Sequence, residues 1–421
     1  TLPARAELFT GKFVFTYLSW GPLPASEVVI AEVLAEACYT TAMVTDNLAL
    51  CRPRYQYERG FHSRIRIRGQ WYDNFQPPEQ PFRWPCSPEK LSADGNRERV
   101  CQYLRNVSIR RSEEDWFAPQ VIREAIHWLE QNHWRSRFFL YVDLFDPHEP
   151  WDPPEPYVRR YDPEPSAEAI IYPAARDAAA YTEAELQRMR ALYAAEITLV
   201  DTWIGKLLAA IDALGRRDDT VVAFLSDHGI FLGERGLVGK MGGKQRSLRG
   251  WPPYWEVARI PLMIRVPGIA PGRRNAFVHP GDLAPTLLEL AGVPIPPTMK
   301  AASLVPVLRG ERDSVRPLAV SSWSPRGASV YRPSVIRTEE WSLVFWRSGV
   351  EPELYHLPTD PREEGNVYRQ HRGAAREVHR QYVGFLREHG APWGNWWPRR
   401  WLVSLGTAKR ETRFSPRESS G

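Results

Sequence analysis

The sequence predicts an α/β fold: a doubly wound, mostly parallel sheet flanked by helices, followed by a small antiparallel sheet with a helix. Three observations carry this. Apolar runs of strand length at Thr40–Thr45, Phe138–Leu144, Val221–Leu225 and Pro261–Val266 alternate with segments of helical periodicity. The first three of these runs break into polar residues, at Asp46, at Asp146 and His148, and at Asp227 and His228. Beyond about residue 310 the pattern changes to short runs of the kind that form antiparallel strands.

The elements follow in order. Residues 1–12 read as a Pro-broken turn running into a short helix that ends at Gly11. Val29, Ile30, Val33 and Leu34 have helical spacing, with Ser26 placed as the N-cap. The stretch 51–111, rich in Arg and aromatics, reads mostly as loop. Helices are expected over about 115–132 and 182–214; the second carries an apolar stripe through Leu186, Met189, Tyr193, Ile197 and Val200. Val221–Leu225 reads as a strand buried on both faces. A Gly-rich basic loop spans 233–250, and a short helix over 282–290 closes at Gly292. Strands near 318–322, 334–337, 341–346 and 354–357 and a helix over 374–389 complete the chain. The expected division is a catalytic domain over 1–310, a C-terminal subdomain over 311–398 and a polar tail over 399–421.

Composition excludes several classes. The chain is 43% hydrophobic and 25% charged, as soluble globular proteins are, with a net charge of only +5. Basic and acidic residues interleave, so nucleic acid is not an expected partner. No run approaches the roughly 18 apolar residues of a membrane span, and no secretory leader is visible. Cys38, Cys51, Cys86 and Cys101 form no C-x-x-C pair, which argues against a zinc or redox motif and for reduced thiols in a cytoplasmic setting. The chain opens on Thr1 without an initiator Met, so its N-terminus reads as truncated.

In a parallel sheet the carboxyl ends of the strands share one edge, where ligands bind. Asp46, Asp146, His148, Asp227 and His228 are therefore expected to converge. A carboxylate with an imidazole suits a divalent cation, and neighbouring Arg and Lys suit an anion.

The motifs make this specific. Thr1-Leu2-Pro3-Ala4-Arg5, trailed by Leu8-Phe9-Thr10-Gly11, resembles the sulfatase signature C/S-x-P-x-R with its L-x-T-G. Asp146-Pro147-His148-Glu149-Pro150 resembles that family's substrate loop. Ser226-Asp227-His228-Gly229, with Leu232-Gly233-Glu234 and Gly239-Lys240, resembles its D-N/H-G…G-K segment. Pro261–Pro267, Asp282–Leu288 and Leu354–Glu363 match three further family motifs in the family's order. The resemblance is to the sulfatase family, close to arylsulfatases and phosphonate monoester hydrolases, of the alkaline phosphatase superfamily.

That resemblance implies a metal-dependent hydrolase of sulfuric or phosphoric esters with a small anionic ester as substrate. It places Thr1 at the nucleophile position and as a metal contact, Arg5 beside it, and Asp227 and His228 as ligands of one divalent ion. His148 and Lys240 would contact the ester oxygens and assist the leaving group. His228 keeps both Ca²⁺ and Mn²⁺ open. Three departures accompany the match. Thr1 cannot be converted to formylglycine, but its hydroxyl can attack directly, as in the superfamily's phosphodiesterases, which tilts the expectation toward phosphate esters or phosphonates and toward a phosphodiesterase or phosphonate monoester hydrolase using Thr1. The family's first strand, with its pair of Asp ligands, would precede Thr1, and its absence leaves open an inactive anion-binding protein. The family's G-K-W-H segment falls at Thr45-Asp46-Asn47-Leu48, without its Lys and His.

Overall fold

The computed structural model describes residues 1–91, 97–240, 251–323, 333–346, 350–400 and 402. Helix α1 spans Leu2–Thr10 and ends at Gly11, whose φ of 60° lies in the left-handed region. Pro3 sits in its first turn, where a missing N–H costs no helical bond, so the helix begins at Leu2 without a preceding turn. Leu2, Ala6 and Phe9 are buried in the core. Helix α2 spans Ile30–Glu36; extended Val29, not Ser26, is its N-cap, and no side chain caps it.

Strand β1, Thr40–Thr45, is flanked by two parallel partners, β2 at Ser63–Arg66 and β3 at Phe138–Asp143. The registers Thr45↔Arg66 and Thr45↔Asp143 bring the three carboxyl ends level. β2 and a helix over Arg97–Val107 lie in the stretch expected to be loop. Ser-Arg-Ile-Arg offers no apolar run, and the helix is held by buried Val100, Tyr103 and Leu104. The helix Phe117–Asn132 is preceded by a 3₁₀ turn over Glu113–Asp115 that Ser112 and Asp115 close. Glu183–Ala213 starts at a capping box of Thr182 with Glu185.

Val222–Leu225 pairs antiparallel with Leu262–Arg265, in the register Val222↔Arg265 to Leu225↔Leu262. All four of its residues are half-buried, not buried on both faces as expected. Among the described residues its other edge is unpaired and faces β3 across a cavity of about 590 Å³, lined by Leu140, Val142, Leu207 and Phe224. That open edge is the reason an apolar run ends only partly covered.

The C-terminal strands Ala319–Ser322, Ser334–Arg337, Trp341–Phe345 and Glu353–His356 form an antiparallel meander. The helix Arg372–Glu388 supplies Val378, Tyr382 and Phe385 to its core, and Phe13 and Phe15, just beyond α1, join the same cluster. Arg399, expected in a polar tail, is buried in a 3₁₀ turn over Trp397–Arg399, and its carbonyl is paired with His379 Nε2 at 2.8 Å. The expected basic loop from 241 to 250 and the tail from 403 to 421 lie outside the described residues. All four cysteines are unpaired thiols. Among the described residues no helix is long and apolar enough to cross a membrane.

His279 links the start of the helix Leu283–Leu290 to the C-terminal sheet, and its Nε2 accepts the Val320 N–H at 3.4 Å. Burial and the Arg316 charge push its pKa down to about 3. A base whose folded pKa is lowered costs stability as pH falls from its unfolded value near 6.5 toward 3. Relative to a His279→Gln variant, the wild type should lose about 2 kcal/mol of unfolding free energy between pH 7 and pH 5. Urea titration at the two pH values measures this; a difference independent of pH would contradict it.

Candidate active site

The carboxyl ends of β3 and Val222–Leu225, the start of α1 and the loop after β3 meet at one place. Thr1, Trp71, His148, Asp227, His228 and Lys240 line both the 590 Å³ cavity and a larger cleft of about 2510 Å³. The six residues singled out by the motifs, Thr1, Arg5, His148, Asp227, His228 and Lys240, are therefore brought together.

Asp227 is the electrostatic hub. Arg5 Nη1 donates to its Oδ2 at 2.5 Å. Arg5 is held from its other side by Asp143, with Nε to Oδ2 at 2.6 Å and Nη2 to Oδ1 at 3.1 Å. This bidentate geometry fixes the guanidinium plane. Burial would raise the Asp227 pKa, but Arg5, and His228 in the acid range where its ring is charged, hold it well below the usual carboxylate range. Tyr141 donates to Asp143 at 2.6 Å and completes this support.

His228 is neutral, because burial pushes its pKa down to about 3. Its Nδ1 donates to the Gly229 carbonyl at 3.0 Å, which leaves the lone pair on Nε2. That Nε2 is buried with no hydrogen-bond partner, 3.7 Å from Asp227 Oδ2. An orphaned imidazole lone pair beside a carboxylate fits a cation's donor set. Among the described residues no third acidic, imidazole or thiol side chain completes a cluster with them. Gly229 is needed where it stands: a Cβ there would lie 2.0 Å from the Glu256 carbonyl oxygen.

On the facing side, His148 Nδ1 lies 2.6 Å from the Glu149 carbonyl oxygen, to which it donates, and 3.2 Å from Glu149 Oε2. Burial takes the His148 pKa down to about 4. Lys240 Nζ is 3.6 Å from the same Oε2. Burial would raise the Glu149 carboxyl, and the pull of Lys240, with that of His148 once its ring is charged in acid, overrides it, holding the pKa at about 2. Glu149 thus anchors both groups that face the cleft.

Asp46 and Asp146, expected at the same edge, point elsewhere. Asp46 accepts the Phe145 N–H at 2.8 Å, and Gln70 Nε2 bridges it to Asp146 at 3.2 and 2.9 Å. They brace the His148 loop from beneath, and burial raises both pKa values, that of Asp146 to about 6. Asp143, Glu149 and Trp71 were not singled out from the sequence. Asp143 had a signal, an acid closing an apolar strand as Asp227 does; Glu149 and Trp71 had none apart from proximity to His148 and to Tyr72.

The parallel core and the cluster at its strand ends define an alkaline phosphatase-like α/β protein. The phosphonate monoester hydrolase of Agrobacterium radiobacter has this fold, with a TM-score of 0.68 over 92% of this chain and 86% of that one at 23% identity. The Sulfatase family profile matches residues 1–293, and the profile for the C-terminal region of N-sulphoglucosamine sulphohydrolase matches 253–386. The chain belongs to the sulfatase family. It is 34% identical over 184 residues to an N-acetylglucosamine-6-O-sulfatase of Bacteroides thetaiotaomicron, a match covering 42% of this chain. The matched stretch spans about a third (31%) of that relative's length. The multifunctional alkaline phosphatase superfamily protein PehA of Trinickia caryophylli is 28% identical over 426 residues, covering 87% of this chain and 80% of its own.

Proposed function

We propose that the protein hydrolyses small anionic esters of sulfate or phosphorus oxyacids, with Thr1 as the nucleophile and one divalent ion held by Asp227 and His228. The observation that carries this is the meeting at the strand ends of Thr1, Lys240 and an orphaned His228 lone pair in one cleft, with Arg5 paired to Asp227 and Lys240 beside Glu149. A bound cation would lower the pKa of the attacking hydroxyl and neutralise charge on the ester oxygens.

The chain's own groups do the rest. Arg5, locked by Asp143, presents a fixed guanidinium to the ester oxygens. Lys240 supplies a positive charge and a proton on the opposite side, where charge builds on the leaving oxygen. His148 rests as a neutral acceptor at Nε2, so an ester oxygen at that atom requires the ring to take up a proton, which the anion's charge favours. Attack by Thr1 Oγ1, its proton passing to solvent, forms a bond to sulfur or phosphorus as the bond to the alcohol oxygen breaks and that oxygen takes a proton from Lys240; water then attacks the Thr1 ester, which releases the oxyanion and restores the hydroxyl. A threonine hydroxyl in place of a formylglycine precursor favours phosphodiesters and phosphonate monoesters over sulfate esters.

The test is a panel of 4-nitrophenyl sulfate, 4-nitrophenyl phosphate, bis(4-nitrophenyl) phosphate and 4-nitrophenyl phenylphosphonate, each with Ca²⁺ and with Mn²⁺. Turnover of at least one phosphorus ester is expected. Hydrolysis of none would overturn the enzymatic reading in favour of an anion-binding protein. Faster turnover of the sulfate than of every phosphorus ester would overturn the preference assigned to Thr1.

A further inference from the structure

The wall of the cleft next to His148 carries two arginines with no carboxylate within ion-pair distance among the described residues. Arg52 donates to Tyr55 Oη at 3.3 Å and to Tyr72 Oη, and its guanidinium lies 5.4 Å from the Trp20 ring centroid and 5.8 Å from that of Tyr72. Arg99 sits 4.7 Å from the Tyr72 ring and 5.7 Å from the Trp71 ring. Tyr72 thus stands between the two cations. Arg66 and Arg68 both pair with Asp73, and Arg110 pairs with Asp152; Arg97 and Arg105 also rest on rings, those of Trp84 and Phe82, but do not line this cleft.

The pair is tied to the site by Trp71, whose ring is 4.3 Å from Tyr72 and 6.1 Å from His148, and all of these residues line the same cleft. Aromatic faces hold the guanidiniums in place while leaving most of their N–H donors unused. Two like charges around one ring, without an acid between them, are relieved by an incoming anion. Arginine forks favour a planar or tetrahedral oxyanion, and the exposed Trp20 face offers a surface for a ring.

We infer that Arg52 and Arg99 form a second anion site, so that the preferred substrate is a ring-bearing ester with a further carboxylate, sulfate or phosphate group. This rests on the reading of the Thr1–Asp227 cluster as the ester site. The test is binding of sulfonates, which are not hydrolysed. Benzenesulfonate is compared with 4-sulfobenzoate and with the longer 4′-sulfobiphenyl-4-carboxylate, by calorimetry at fixed ionic strength.

At least one dianion should bind about tenfold more tightly than benzenesulfonate. That advantage should fall several-fold in Arg99→Gln, a change on an exposed helical surface, and disappear when Arg52→Gln is added. Arg52→Lys, which keeps the charge and loses the fork, should retain part of it. Equal binding of all three sulfonates, absence of binding, or a preference that survives in Arg52→Gln/Arg99→Gln would overturn the second site. If the preference is present while no ester in the panel is hydrolysed, the enzymatic reading fails and the second anion site stands.

Discussion

Replacing Asp227 by Asn is expected to lower kcat/KM for the best ester by about 10³-fold, the scale on which removal of transition-state charge stabilisation acts. The same change should abolish measurable Ca²⁺ or Mn²⁺ binding by calorimetry. Asparagine keeps the shape and removes the negative charge that Arg5 and the His228 ring face. Arg5 remains paired with Asp143, so the start of α1 stays anchored and the loss is assignable to the site. Thermal unfolding should move by only a few degrees, as for substitutions that leave core packing intact. Activity within tenfold of wild type, with the metal still bound, would remove Asp227 from the role assigned to it.

The sequence made Asp227 legible for a simple physical reason. A carboxylate that ends an apolar strand must lie at the sheet's carboxyl edge, and His228 and Gly229 follow it directly. Thr1 and Arg5 were legible as a signature, and their place on one turn of α1 explains its spacing. Other parts depend on contacts that no local pattern encodes. β2 is four residues long with two arginines, and its strand character comes from pairing with β1. The half-exposed state of Val222–Leu225 depends on which edge has a neighbour, and apolar content cannot report that. Glu149 works through a loop that folds its carboxylate under both His148 and Lys240. Asp46 and Asp146 sit at strand ends just as Asp227 does, yet Gln70 draws them beneath the site. Position along the strand gave their level in the sheet and not the direction they face.

Arg316→Met should destabilise the protein by about 3–5 kcal/mol, the range for removing one partner of a buried ion pair. Asp282 is fully buried, and both of its oxygens accept from Arg316, whose guanidinium also donates to the Phe277 carbonyl at 3.1 Å. The remaining Asp282 contacts are the His279 N–H at 2.7 Å and the Ala302 N–H at 3.0 Å, neither of which neutralises the charge. Thr286, one turn on, donates to the Asp282 carbonyl and accepts the Leu304 N–H at 2.8 Å, so the affected network extends into the helix Leu283–Leu290. Ala284 and Leu288 of that helix pack in the same core as Leu2, Ala6 and Phe9 of α1, the helix that follows Thr1 and carries Arg5. Loss of the cation should therefore lower the urea midpoint and, near the transition, activity with it. Asp282→Asn combined with Arg316→Met should recover part of the loss, because the uncompensated charge is gone and one of the two backbone N–H groups keeps an oxygen acceptor. A single-variant cost below about 1 kcal/mol, the scale of an exposed pair, would contradict the weight assigned to the buried Asp282–Arg316 pair.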